Sequence, residues 1–318
     1  MIKQLFTLLL ILLGLPAQAK TSLYGQANGY TQWASSELGS ALQLETHLSE
    51  FGFRGDSPAA SRSAFFDLAV GLVEYAQDGC CPQLLRSELG LRGDHGVLTL
   101  FYGDTPLTRS NHFLTLMHRD PDALSGALGY RRANSYNLAV GLGGVDGLGY
   151  RTPSIGNRLQ FELALIPSER VGGENGLSFA ANYGDTRRRF SLAMELNGTR
   201  ENSQVVRLIG DLTTTHLTFG AGLQRASSSI SEVRSIALMG FTRIPITLGS
   251  YESTLRWLVT VNRLTDQLAV SHQQYYTSLI QEVSLTDKVS IYAFIELDWP
   301  DRQAERLGYA GLGLNMDF

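Results

Sequence analysis

Arginine and carboxylate side chains recur at even spacings in several short segments of this sequence. One segment carries Glu50 and Arg54, and another carries Arg86, Glu88 and Arg92. At a spacing of two or four along an extended chain, such side chains point to the same side. Arginine keeps its charge in any protein environment. Rows of arginine that face acidic groups across water would therefore set a field that sorts and orients polar solutes.

A long segment between residues 104 and 147 supplies groups that could face these rows. Its charged residues include the acids Asp104, Asp120 and Asp122 and the bases Arg109 and Arg119. Loops of this length without structure of their own are uncommon and usually functional. The residues that we single out as candidate lining of a polar, water-facing site are Glu50, Arg54, Arg86, Arg92, Asp104, Asp120, Asp122 and Arg151. The alternative for each residue is an ordinary solvated charge.

No arrangement of nucleophile, base or metal ligands accompanies these charges. The six histidines stand in neither a Gly-x-Ser-x-Gly nor a His-Glu-x-x-His setting. His112 and His118 do not have the i, i+4 spacing of a helical metal-binding pair. Cys80 and Cys81 are adjacent, so they form either a vicinal or intersubunit disulfide or an ordinary loop. The sequence predicts no enzyme, no cofactor and no metal.

The composition excludes one class of partner. Of the 26 basic residues, only Lys3, Lys20 and Lys288 are lysine, and the formal net charge is −4. A mildly acidic chain without a basic stripe does not favour nucleic acid as a partner.

The first nineteen residues have the three-part pattern of a secretory signal peptide. Lys3 precedes an apolar run from Leu5 to Leu15, and Ala17 and Ala19 close the segment. This pattern predicts cleavage after Ala19. We assign residues 1–19 to the signal and residues 20–318 to one exported domain. No later apolar run approaches the roughly 18 residues of a helical membrane span.

The dominant period in the exported part is two. In LQFELALIP, Leu159, Phe161, Leu163 and Leu165 alternate with polar or small residues. About sixteen such segments of roughly 8–13 residues follow one another, as in a membrane barrel. We predict an all-β fold, a transmembrane antiparallel β-barrel. A soluble sandwich or propeller is the alternative, but nearly every strand here has one apolar and one charged face.

The connections alternate between short and long. Short turns are predicted at GDHG, SIGN, RIPI and LTDK, and longer loops at SSELGSALQLETH and AQDGCCPQ. Short turns at one end and longer loops at the other are typical of outer-membrane barrels. Part of the 104–147 segment (FLTLMHRDPDAL) could form a short helix.

The sequence ends on an alternating segment, GYAGLGLNMDF. This pattern predicts a last strand whose apolar side chains face lipid, namely Ala310, Leu312, Leu314, Met316 and Phe318. Phe318 would lie at the membrane boundary, where aromatic girdles belong. The strand must pair with the first one, because an open edge in lipid leaves backbone groups without partners.

Short patches, in this order, resemble the Gram-negative general porins of the trimeric, 16-stranded type. The patches are SLYGQANGYTQW, SEFGFRGD, ELGLRGDHGVLTLFYGDTPL, RRANS, GYRTP, VSLTDKVSIYAFIE and LGLNMDF. The resemblance covers residues 21–318. It implies a third loop, approximately residues 104–147, that folds inward as a constriction, and a second loop that latches a neighbouring subunit.

The resemblance also implies function and partners. It predicts an outer-membrane homotrimer whose barrels pass small hydrophilic solutes and ions by passive diffusion, among outer-membrane lipids and lipopolysaccharide. It implies that Phe318 is an address read by the barrel assembly machinery. A barrel that is not an open pore, either a hydrolase or a plugged adhesin or structural barrel, is the alternative.

Several positions depart from the family pattern. Glu50 stands where these porins carry an arginine, and Tyr102 stands where another is usual. The arginine expected in the fourth strand falls on Leu85 or Arg86, depending on a one-residue choice of register. Because the wall is less positive than in the family, we predict weak ion selectivity or a preference for cations.

Overall fold

The chain is a closed antiparallel barrel of sixteen strands in this computed structural model. The structure describes residues 20–36, 39–59, 62–75, 79–110, 145–168, 173–185, 187–197, 203–228, 234–265, 270–300 and 307–318. The predicted signal peptide, residues 1–19, lies outside the described residues. The described part contains no helix that is long and apolar enough to cross a membrane.

Each strand pairs with the next along the chain, and β1 pairs with β16 to close the barrel. The first eight strands are β1 (Lys20–Ser36), β2 (Gly39–Ala59), β3 (Arg62–Tyr75), β4 (Gly79–Gly93), β5 (Gly96–Gly103), β6 (Val145–Arg151), β7 (Leu159–Ile166) and β8 (Gly176–Gly184). The second eight are β9 (Arg188–Asn197), β10 (Ser203–Thr213), β11 (Thr218–Ser228), β12 (Arg234–Leu248), β13 (Tyr251–Thr265), β14 (Ser271–Thr286), β15 (Val289–Pro300) and β16 (Leu307–Asp317). The predicted fold class is confirmed.

The alternation in sequence divides each strand into an outer apolar face and an inner face. On β15, Ile291 and Ile295 are exposed on the outside, whereas Tyr292, Phe294 and Glu296 are buried on the inside. Side chains alternate across a strand because the pleat turns successive Cβ atoms to opposite sides. The outer face forms a continuous apolar band of the kind that faces lipid.

Short turns join the strands at one end of the barrel, which we call the turn rim. They include Asp94–His95, Gly249–Ser250 and Asp287–Lys288. The opposite end, which carries the long 111–144 connection, is called the loop rim. Gly249 has φ of 64°, a left-handed conformation that glycine adopts without steric cost.

Three expected connections belong wholly or mostly to strands instead. RIPI lies inside β12, and the turn follows at Gly249. Pro245 is tolerated there because β11 begins opposite Arg243, so no strand on that side requires its missing N–H. The segment SSELGSALQLETH is mostly strand, because β1 runs to Ser36 and β2 starts at Gly39. The expected loop AQDGCCPQ is also mostly strand, because β4 starts at Gly79 and includes Cys80 and Cys81.

The seam between β1 and β16 is formed as the last segment predicted. Leu312, Leu314, Met316 and Phe318 are exposed on the outer face. Phe318 exchanges two backbone hydrogen bonds with Gly25, and its ring lies where a side chain at Gly25 would project. A glycine is therefore required opposite this ring.

The long third connection starts inside the barrel. A short helix, α1 (Pro106–Arg109), follows β5 and contacts β7, β8 and β9. The connection ends earlier than predicted, because Val145 already begins β6. The expected helix in FLTLMHRDPDAL lies outside the described residues.

Candidate functional site

The inner face of β2–β7 carries a network of ion pairs, which we call the charged wall. It consists of Glu50, Arg54, Asp56, Asp67, Arg86, Glu88, Arg92, Arg151 and Glu162, with Arg109 of α1 above them. Antiparallel pairing brings these side chains together from five strands. The sequence-predicted residues Glu50, Arg54, Arg86, Arg92 and Arg151 all lie on this wall.

Arg86 forms polar contacts with several neighbouring side chains on the inner face of the barrel. Its Nη2 lies 3.1 Å from Glu50 Oε1, 3.6 Å from Asp67 Oδ2 and 2.8 Å from the hydroxyl of Tyr24. The Tyr24 hydroxyl in turn donates to Asp67. Glu50 therefore does not simply replace a family arginine, since it neutralises a neighbouring one.

A β-bulge brings both Leu85 and Arg86 of the fourth strand to the inner face. Ala69 pairs with Arg86 and Val70 pairs with Leu84, so Leu85 is the extra residue. A bulge turns two successive side chains toward one face. Arg86 accordingly reaches the charged wall, while Leu85 lies over Gly71. Sequence alone left this register open.

Arg54 and Arg92 lie nearer the turn rim, and each places its guanidinium over an aromatic ring. The Arg54 guanidinium lies 5.4 Å from the ring centre of Tyr24, and its Nε donates to Ser22 Oγ. Arg92 lies 5.1 Å from the ring centre of Phe65 and 3.7 Å from Asp56 Oδ2. The Arg92 side chain is 56% exposed, so neighbouring side chains leave much of it uncovered.

Glu162 joins two arginines and was not predicted from sequence as a site residue. Its Oε2 lies 3.3 Å from Arg109 Nε and 3.6 Å from Arg151 Nε. Arg109 also contacts Glu88 Oε1 at 3.2 Å. Glu162 occupies an inward position of β7, and that alternation was the available signal. Four of the wall's five arginines are thus paired with carboxylates, which cancels much of their positive field.

Of the three predicted acids of the long connection, Asp104 lies within the described residues. Asp104 lies directly before α1, within electrostatic reach of Arg109 and Arg86. Asp120 and Asp122, together with Arg119, lie outside the described residues.

The first residues of the long connection dock on the inner face of β8–β11, which we call the docking wall. Leu107 packs against the apolar side chains Ala180, Ala193, Val205 and Ala226. All five side chains are almost completely buried. Small residues on the wall leave room for the helix to approach the strands.

Polar contacts fix α1 on the docking wall. The Leu107 N–H donates to Ser178 Oγ (3.1 Å), and the Leu107 carbonyl accepts from Arg207 Nη1 (3.0 Å). Arg207 is 1% exposed and also donates from Nε to Gln224. These contacts bring a segment that follows β5 against β10, on the other side of the lumen.

Thr105 connects the start of α1 to the same wall. Its hydroxyl donates to Glu195 Oε2 at 2.5 Å and accepts from the N–H of Thr108. Thr105 is therefore the N-cap of α1, and the same hydroxyl provides a hydrogen-bond donor to the buried carboxylate of Glu195. The inward fold of the third loop is observed for residues 104–110.

Within the described residues no cluster of His, Cys, Asp and Glu could hold a metal ion. His95 and His216 lie exposed at the turn rim. His112 and His118 lie outside the described residues.

Comparisons with known proteins give matches in structure only. No family model matches the chain, and a search of curated proteins finds no match. An anion-selective porin from Comamonas acidovorans superposes with a TM-score of 0.74 at 14% identity, covering 95% of this chain and all of that one. OmpF of Salmonella typhi, in complex with daunomycin, gives 0.74 at 13% identity, covering 94% and 98%.

A third match is OmpT, an outer-membrane protein of Vibrio cholerae, in a trimer form. The superposition has a TM-score of 0.68 at 11% identity and covers 94% of this chain and 99% of the OmpT chain. At these identities the likeness concerns the fold. The chain has the porin fold that the sequence resemblance implied.

Proposed function

We propose that this chain is an outer-membrane porin, a water-filled channel for passive diffusion of small hydrophilic solutes and ions, and that it is not an enzyme. The observation that carries the proposal is the charged wall. A closed barrel with an apolar outside holds arginine and carboxylate pairs on its inside, and Arg92, Asp56 and Arg151 are substantially exposed there. Such groups are stable in a membrane barrel when the lumen contains water.

The constriction is proposed to lie between the charged wall and the start of the long connection. Arg109 of α1 touches Glu88 and Glu162 on one side of the lumen, while Leu107 docks on the other side. Glu50, Arg54, Arg86, Arg92, Arg151 and Asp104 are the proposed lining residues among those described. Asp120 and Asp122 remain predictions. Because the arginines are paired, we expect weak selectivity or a preference for cations.

Single-channel recording in a planar bilayer tests the proposal. An open porin should show stable steps in concentrated salt, and reversal potentials across a salt gradient should lie near zero or on the cation side. Neutral sugars of increasing size, added to the bath, should reduce the conductance until they no longer enter the lumen. A clear preference for anions would contradict the selectivity.

A plugged barrel is the second candidate, and the burial of the docking wall favours it. Arg207, Gln224 and Glu195 are no more than 3% exposed, so these three inner-face side chains do not meet bulk water. Swelling of liposomes in small sugars separates the two candidates. A porin admits the sugar, whereas a plugged or hydrolytic barrel leaves the liposomes unchanged.

The location and assembly are proposed on the same basis. The porin fold supports an outer-membrane location with the loop rim outward, and the trimer form of one structural match supports a homotrimer. Lipids, lipopolysaccharide and the assembly machinery are the expected partners there. Native electrophoresis of the detergent-extracted protein, with and without heating, should show a trimer that separates into monomers.

Phe318 is proposed to be the assembly signal, and its place in the seam beside Gly25 supports a role in closing the barrel. Deleting Phe318 should lower the amount of inserted protein more than the conductance of each inserted barrel. Normal surface levels of the shortened chain would contradict this role.

A further inference from the structure

Three arginines on the outer face form a basic patch near the loop rim. Arg225 of β11 pairs directly with Ile236 of β12, and Ile236 pairs with Arg263 of β13. Arg234, the first residue of β12, lies two residues before Ile236 and on the same face. Neighbouring strands are about 4.8 Å apart, so Arg225 and Arg263 are separated by roughly 10 Å.

The outward direction of these arginines follows from their neighbours. Ile236 and Leu223, on the same face, are about half exposed, whereas Gln224 and Ser235, on the opposite face, are buried. Arg263 donates to Ser271 Oγ. No carboxylate among the described residues forms an ion pair with Arg225, Arg234 or Arg263. Their positive charge is therefore not cancelled there as it is on the charged wall.

The patch is unusual for this surface. Among side chains that the structure describes, only one other charge, Asp146, points outward in the loop-rim half of the strands. A charged side chain on the lipid face is costly near the bilayer centre and costs little near the interface. Three consecutive strands with arginine at the level of the lipid headgroups would match lipid phosphate, which guanidinium binds with two parallel hydrogen bonds.

An apolar groove lies below the patch on the same side of the barrel. It has a volume of about 450 Å³ and is lined on β12–β15 by residues that include Ile244, Leu255, Trp257, Leu279 and Ile295. The Trp257 indole donates to Thr277 Oγ1, which satisfies its N–H within the apolar band. Six residues separate Arg263 from Trp257, which is about 20 Å along the strand. This distance is within the reach of a lipid acyl chain.

We infer that β11–β15 form a binding site for one outer-leaflet lipid with an anionic phosphate-monoester headgroup. The headgroup lies on Arg225, Arg234 and Arg263, and an acyl chain lies in the groove beside Trp257. The positive patch selects the headgroup, and the groove holds the chain. The inference rests on the proposed outer-membrane location, but the site is on the outside of the barrel and does not depend on whether the lumen conducts.

Quenching of Trp257 fluorescence by brominated acyl chains tests this site. The full chain with Trp33→Phe and Trp299→Phe keeps Trp257 as its only tryptophan. It is reconstituted in phosphatidylcholine vesicles that contain a small fraction of brominated-chain phosphatidic acid or, separately, brominated-chain phosphatidylcholine. We expect phosphatidic acid to occupy the site with a preference on the order of tenfold.

Two charge variants complete the experiment. The patch variant combines Arg225→Gln, Arg234→Gln and Arg263→Gln, and it should lose the preference for phosphatidic acid. The control variant removes the same charge at the turn rim and should retain the preference. It combines Arg187→Gln, Arg188→Gln and Lys288→Gln. Heat-modifiable migration shows that each variant forms a barrel. Equal quenching by the two lipids, a preference that survives the patch variant, or a Trp257 that no brominated lipid reaches would each overturn the inference. The last result would show that protein covers the groove.

Discussion

The charged wall and the docking wall share one barrel and one sequence period, yet their polar groups are used differently. On the charged wall, arginines and carboxylates from neighbouring strands pair with one another, and Arg92 is 56% exposed. On the docking wall, Arg207 and Glu195 are at most 3% exposed, and each forms a hydrogen bond with a residue of the segment 105–107.

Because of this difference, we expect the docking wall to affect mainly the stability of the barrel and the charged wall to affect mainly its ion selectivity. Exposed ion pairs contribute little to folding, because water screens them and side-chain entropy opposes them. Buried polar groups that lose a partner are costly, because desolvation is then not compensated. We therefore expect substitutions on the docking wall to change stability and the position of α1. Substitutions on the charged wall should change which ions pass.

The largest effect should come from Arg207→Ala. This change leaves the Leu107 carbonyl and Gln224 without their buried donor, and we expect a loss of about 3 kcal/mol in the free energy of unfolding. Urea unfolding followed by tryptophan fluorescence measures it. Arg92→Ala is the matched change on the charged wall, with an expected cost below about 1 kcal/mol. Equal costs would contradict the distinction between the walls.

Leu107→Ala should have the next largest effect. The Leu107 side chain fills a completely buried site between Ala180, Ala193 and Val205. Truncation of such a leucine costs about 2 kcal/mol or more, depending on how far the site collapses. Released from the wall, α1 should also give larger fluctuations of the open-channel current. A quiet channel of unchanged stability would show that other contacts hold the segment.

Sequence predicted much of this barrel but little of the docking wall. Alternation identified the strands and their faces, since a period of two is a local property. It also placed Glu50, Arg54 and Arg151 on the inside. It could not reveal that Leu107 reaches β10, because that contact joins residues a hundred positions apart and depends on the path of a loop.

The other features that sequence did not predict depend on how neighbouring strands pair. The bulge at Leu85 brings two successive side chains to the inner face, and no residue type in that segment signals a bulge. RIPI contains a proline, which predicted a turn, but the shorter neighbouring strand leaves the proline N unopposed. In both places the pairing partner decides the structure, and the partner is remote in sequence.

A smaller effect is expected from Thr105→Val. The substitution keeps the shape of the side chain but removes the hydroxyl that caps α1 and donates to Glu195. One lost cap and one lost hydrogen bond should reduce stability by about 1 kcal/mol. Thr105→Ser keeps the hydroxyl and should remain close to the wild type in the same urea titration. If the valine and serine variants behave alike, the hydroxyl does not hold the segment.

The smallest change in stability, and the clearest change in selectivity, should come from Glu50→Gln. Arg86 keeps Asp67 and Tyr24 as partners, and the Glu50 side chain is partly exposed, so the free energy of unfolding should fall by less than about 1 kcal/mol. The lumen loses one negative charge beside a retained arginine. The reversal potential across a salt gradient should therefore move toward anions. Asp94→Asn removes the same charge from the turn rim and should leave the reversal potential unchanged. If both variants shift it equally, overall charge sets the selectivity and the charged wall has no special position in the channel.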